Sequence, residues 1–384
     1  RLCTAFYCTM ADSAKSDQGI EDVPTYGGYL QLSKILNAQL EYSSKGGEKA
    51  AHDEMMFIVV HQVYELWFKL IMHELESFVS LVGGDDAPES NIRNAVSRLE
   101  RVIEILLIMN QQFRVMETMT PIGFMEFRDY INPASGFQSA QFRIFENRLG
   151  VMKEQRIRYQ KQEYYEVYKG EERERVLDSE KKMSLFAAVE KWLERTPFVK
   201  FGDFSFWQHY RTAVNTLMKR EEDLIEKEDI PDEVKEQKKA ELARAKSTYE
   251  VCFDEAKYEE KREQGVHRLS FKSFQAALLI NIYQETPLLN FPFKLLASLV
   301  KIDDLVAKWR HQHAMLVQKM IGAKVGTGGS SGYGYLKSTI ERMRVFTDFF
   351  NLSSFILPRD IIPPLPADVS HALSFTYENV RGQK

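Results

Sequence analysis

From Tyr26 onward, large apolar residues recur at steps of three and four, so the chain reads as helix almost throughout. Phe57, Val60, Tyr64, Trp67, Phe68, Ile71, Leu75 and Phe78 make one apolar stripe down a single long helix. Gly83, Gly84, Asp85, Asp86 and Pro88 end it. The same spacing predicts a second helix from Glu89 to Met119, with Val96, Leu99, Val102, Ile103, Leu106 and Leu107 facing inward. Thr120-Pro121 opens a third, because the missing proline N–H is no loss in a first helical turn. Residues 152–195 are charged and are expected to be helical up to a break at Pro197 and Gly202. Residues 219–250 are dense in Lys and Glu, which predicts a solvated helical hairpin turned at Ile230-Pro231-Asp232. A second apolar block runs from Phe271 to Met320. Alternation at a period of two is nowhere long enough to build a sheet, and no fixed repeat is present, so an all-α fold is expected.

Three stretches depart from this pattern. Residues 1–23 are small, polar and aperiodic, and are expected to form a disordered arm. Residues 127–150 hold Pro133, Ser135 and Gly136, which implies a tight, specific loop before another helix. The run Gly326–Gly332 lacks the Lys-Ser/Thr ending of a phosphate loop; it suits a mobile lid over 323–335, and as pattern alone equally a flexible linker. Residues 24–384 are expected to be one domain, since 25 Phe and 17 Tyr supply enough apolar mass for one large core.

The net charge of −4 gives no electrostatic reason for nucleic-acid binding. Three cysteines, Cys3, Cys8 and Cys252, make an odd count without a Cys-x-x-Cys pair, which suits a reducing cytosol. No uninterrupted apolar run approaches the roughly 18–20 residues of a bilayer span. Residues 1–9 are not expected to be a signal peptide, their apolar stretch being short and broken by polar residues, and Met10 is a candidate start that the sequence leaves open. A cytoplasmic protein with no membrane partner is the expectation.

Candidate chemistry centres on the eight histidines. His311 and His313 are two residues apart, about 200° around a helix, so both cannot face one metal. His313 falls within the apolar stripe Leu305, Trp309, Leu316 and Met320, and His311 points away from it. A lone imidazole among apolar residues is what an axial haem ligand needs. On periodicity alone, a core histidine hydrogen-bonded to a neighbour is the commoner explanation. His61, at the edge of the first stripe, poses the same choice, and His73 on that helix reads as surface. Arg128 has two roles open to it: an ion pair with Glu126 or Asp129, or a bidentate clamp on a substrate carboxylate.

Several blocks, in order, resemble the tryptophan 2,3-dioxygenase family. They are His52–Lys69, Phe127–Ser139, Trp192–Pro197, Lys308–His313 and Gly326–Tyr333, and the likeness runs from about Tyr26 to Pro364. The resemblance implies one haem b per subunit, with His313 as iron ligand, Trp309 and Tyr335 near the macrocycle, Ser135 lining its pocket and Arg143 near a propionate. His61 would accept the indole N–H, Arg128 would bind the substrate carboxylate, and Thr327 would contact the amino-acid end. Phe57, Phe124 and Ile131 would wall the indole ring. Tyr26 and Tyr29 would reach into a neighbouring subunit's site in a homotetramer. The implied reaction joins both atoms of O2 to the indole C2–C3 bond of L-tryptophan, giving N-formylkynurenine, the first step of tryptophan catabolism by the kynurenine pathway.

Met55-Met56, His311-Gln312 and Ile131 depart from the family's usual residues, none at a position given a role in the chemistry except the near-isosteric Ile131. His61 favours the tryptophan-specific branch over the related indoleamine dioxygenases. Two other classes stay open: a haem-binding sensor or carrier without turnover, and a helical interaction scaffold built on the 219–250 hairpin.

Overall fold

Thr120 and Pro121 show how closely local chemistry sets this architecture: the threonine Oγ accepts from the Gly123 N–H at 3.0 Å, and the proline takes the first helical position. The computed structural model describes residues 25–45, 47, 49–157, 163–324, 326 and 332–374. The helices used below are α1 (His52–Val82), α2 (Ile92–Met116), α3 (Pro121–Ile131), α4 (Ala140–Leu149), α5 (Gly170–Lys181) and α6 (Leu185–Glu194). After them come α7 (Phe206–Lys227), α8 (Asp232–Phe253), α9 (Phe271–Ile282), α10 (Asn290–Ile321) and α11 (Tyr333–Arg342). The all-α expectation is borne out. Among the described residues the only strands are Lys200–Phe201 and Phe204–Ser205, a two-residue antiparallel pair.

The chain divides into two units, residues 1–41 and 42–384. In the first, the described residues form two short helices, Tyr26–Tyr29 and Leu32–Leu36; Thr25 caps the former, and Tyr26 and Tyr29 are exposed.

In the second unit α1, α2 and α10 form the centre. Ile71, Leu75 and Phe78 of α1, Leu99 and Val102 of α2, and Leu295, Leu299 and Ile302 of α10 are fully buried in one cluster. Polar side chains fix how these helices sit. The Asn110 amide of α2 donates to the Leu305 carbonyl of α10 at 3.2 Å, and the Tyr64 hydroxyl of α1 donates to the Met109 carbonyl at 3.0 Å. By length and composition alone α1 would also suit a bilayer. Its Glu65 and Glu74 are instead held inside the fold, by Ser139 and Gln141 and by Arg101.

Two expectations need correction. The inward face of α2 is wider than predicted: Val96, Leu99, Val102 and Leu106 are buried as expected, Ile103 and Leu107 pack half-buried against the core, and Ile105 and Met109 are buried besides. The reason is that α2 lies between α1 and α10 and must satisfy both. Residues 152–169 are also not helical where described, apart from a single 3-10 turn at Lys153–Gln155. Long-range pairing overrides helical propensity here: Arg156 is drawn into α4, and Tyr168 packs on Ala140 and Val176. The hairpin is present as α7 and α8, turning at 228–231.

Candidate active site

Helices α1, α3, α4, α10 and α11, with the loop at 135–139, enclose a cavity of about 290 Å3. One wall is the α10 stripe: Trp309, His313, Leu316 and Met320 all face it, while His311 is exposed. The His313 ring lies 5.5 Å from Trp309 and 6.4 Å from Phe113 between centroids. Among the described residues no hydrogen bond reaches its imidazole, so it is not a core histidine satisfied by a neighbour. Burial, reinforced by His61 and Arg310, pushes its pKa down to about 4. The ring is therefore neutral at pH 7 and keeps a lone pair for a metal.

His61 belongs to α1 and also lines the cavity. Its Nδ1 lies 2.7 Å from the Phe57 carbonyl oxygen. A carbonyl only accepts, so Nδ1 carries the proton and Nε2 is left as an acceptor. Protein surrounds this ring, yet its surface is open because it faces the cavity. Burial lowers its pKa, against the opposing pull of the Phe57 carbonyl and Glu65, and this too favours a neutral imidazole.

Opposite α10 stand aromatic side chains of α1 and α3. Phe57 meets Phe124 at 6.0 Å and Phe127 at 5.4 Å, and Phe124 meets Phe127 edge-on at 5.3 Å. Arg128, in the last turn of α3, brings a half-buried guanidinium to the same cavity. Ser135 lines it at the 135–139 loop and caps the turn Gly136–Gln138. Tyr335 of α11 lines it as well, its ring edge-on to Phe137 at 4.9 Å.

At the rim is a buried ionic group. Glu146 is wholly buried and pairs with Arg143 at 2.9 Å, Arg156 at 2.7 Å and Arg310 at 2.5 Å. Burial alone would protonate Glu146, but the three guanidinium groups hold its carboxyl well below the usual carboxylate range. Glu65 is the second buried tie: it accepts from the Ser139 hydroxyl at 2.5 Å and from the Gln141 amide at 2.9 Å, joining α1 to the start of α4.

His313, His61, Arg128, Phe57, Phe124, Trp309, Ser135, Arg143 and Tyr335 are thus brought together. Ile131 is half-buried against the core and is not among the residues lining the cavity. Thr327 lies outside the described residues, though its neighbour Gly326 lines the cavity. Tyr26 and Tyr29 belong to the other unit. Sequence reasoning assigned no role to Glu65, Glu146, Arg156 or Arg310. Arg310 carried a signal, being one helical turn before His313 on the same face; Arg156 carried none, because its partner is reached across the Gly150 turn.

The donor set fits an iron porphyrin: one neutral, half-buried imidazole on an aromatic wall, with excess positive charge at one edge for ionised side groups. The family model for tryptophan 2,3-dioxygenase matches residues 11–356, a span that includes every residue lining this cavity. The chain belongs to the tryptophan 2,3-dioxygenase family. Relatives carrying that name include one from Xenopus laevis, 46% identical over 356 residues, which cover 92% of this chain and 87% of the relative. One from Alteromonas mediterranea is 44% identical over 351 residues, covering 91% and 97%. One from Dictyostelium discoideum is 39% identical over 371 residues, covering 96% and 92%.

Proposed function

We propose that this chain is a haem-dependent tryptophan 2,3-dioxygenase, converting L-tryptophan and O2 to N-formylkynurenine with one haem b per subunit. One observation carries the reading: His313, His61 and Arg128 line the same apolar cavity. His313 would hold the iron, with Trp309 and Tyr335 beside the macrocycle, Ser135 in its pocket and Arg143 toward a propionate. When bound, haem supplies the redox centre at which O2 is activated.

The chain's own side chains then do the recognition. Indole is a flat apolar body with one N–H, so Phe57 and Phe124 wall it and the His61 Nε2 accepts its proton donor. No strong base is needed for this, which suits a neutral ring. Arg128 offsets the cost of desolvating the substrate carboxylate by a bidentate pair, and Thr327 would contact the amino-acid end by the family resemblance. Held at both ends, the substrate presents C2–C3 in one orientation, which lowers the entropic barrier to reaction. The aromatic lining keeps bulk water from competing.

Assembly as a homotetramer, with Tyr26 and Tyr29 completing a neighbour's site, belongs to the same reading. Its support is the exposed apolar set Met55, Val59, Leu66 and Leu70 along α1. A cytoplasmic location is part of it too, consistent with the odd cysteine count. The test is an optical spectrum of the purified, haem-loaded, reduced protein with and without L-tryptophan, followed by product analysis. A tryptophan-dependent spectral change and N-formylkynurenine are expected. Loaded, reduced protein that leaves tryptophan and O2 unconsumed would overturn the activity.

A further inference from the structure

Arg143 and Arg310 both line the cavity, whereas the Glu146 that grips them does not. Arg156 completes the group from behind, stacked 3.9 Å from the Tyr164 ring. Among the described residues no other carboxylate pairs with any of the three arginines, so the group has two positive charges in excess. An uncompensated buried charge is strongly unfavourable, and an excess of two calls for two anionic groups from elsewhere. Arg143 and Arg310 both open onto the cavity, which gives such groups a face to arrive from. Each guanidinium has five N–H donors, of which Glu146 uses a minority, leaving donors for a second carboxylate.

We propose that Glu146 is a positioning residue that clamps Arg143 and Arg310 into one rigid seat for a dicarboxylate, and that this seat selects a porphyrin with two free propionates. The inference rests on the haem reading above. Two guanidinium groups this close would repel and swing apart without a shared anion; Glu146 holds both through separate oxygens, Oε2 to Arg143 and Oε1 to Arg310. The charges then close: three positive, one negative from Glu146 and two negative from the ligand. Arg310 stands one helical turn before His313, so the same clamp sets the distance between the imidazole and the rim.

The test titrates apoprotein with haem b and with its dimethyl ester, following absorbance, in the wild type, Glu146→Gln and Arg310→Gln. The wild type is expected to prefer the free diacid by roughly 30-fold or more, the scale of losing a buried charge partner. Glu146→Gln should lose most of that preference, and Arg310→Gln part of it, while circular dichroism shows the helices intact. Should Glu146→Gln not fold, Arg310→Gln decides alone, since it removes one positive charge and leaves Arg143 and Arg156 on Glu146. Equal binding of acid and ester by the wild type overturns the proposal, as does an undiminished preference in the folded variants. A wild type that takes up neither porphyrin overturns the haem reading itself, which is a different result.

Discussion

Helices α7 and α8 carry their ion pairs in water, whereas α4 and α10 bury theirs, and the contrast separates charge that solvates from charge that positions. On the hairpin, Glu226 takes Lys239 at 2.7 Å and Lys235 at 3.3 Å, and all three side chains are within reach of solvent. In the cavity shell, Glu146 has no exposed surface, and two of its partners face the space where a ligand would sit. Acid–base pairs at similar distances are nearly interchangeable on the hairpin and fixed in the shell.

The largest expected effect is at His313. His313→Ala should abolish haem retention, read as the missing absorbance band, with helix content unchanged by circular dichroism; a fully loaded variant would remove the shell's claim to hold iron. Next comes the packed centre. Phe78→Ala empties a wholly buried site on α1 and should cost about 3–5 kcal/mol in urea unfolding of the apoprotein. A cost below about 1 kcal/mol would mean that α1 is far less tightly packed than its burial indicates.

Acid should weaken the shell as well. His313 titrates near 4 when folded because burial disfavours its charged form, against about 6.5 when unfolded. As pH falls below about 6.5 the unfolded chain takes the proton first, so this contribution to stability is whole above that pH and drains away toward 4. The loss should be on the order of 2–3 kcal/mol by pH 4, with the lowered pKa of His61 acting in the same direction. Urea midpoints of the apoprotein that stay flat from pH 7 to about 4.5 would contradict this. The smallest effect belongs to the hairpin: Glu226→Gln should leave the melting temperature unchanged. A clear drop would erase the contrast drawn here.

Much of this was legible beforehand. The α1 and α10 stripes, the Thr120-Pro121 start and the hairpin turn follow from period and capping, because each depends on residues within a few positions of one another. Periodicity turned His313 toward the interior and His311 away, as the structure has it. It could not choose between ligand and ordinary core residue, because that depends on Phe113 and His61, which are remote in sequence. The non-helical residues described within 152–169 were missed for the same reason: Arg156 answers to Glu146 across the Gly150 turn, not to its own neighbours. Ile105 and Met109 of α2 were missed because a helix buried on two sides gives no single clean face.

The Glu65 tie carries a consequence for altering this protein. His61 and Phe57 stand on the helix that Glu65 anchors, and Arg143 stands on the one it anchors to, so the proposed substrate wall and the proposed porphyrin rim are tied to each other. Room for a bulkier indole would have to come from trimming Phe57 or Phe124 in place. Shifting α4 outward to make that room would drag the rim arginines with it, trading cofactor grip for substrate breadth.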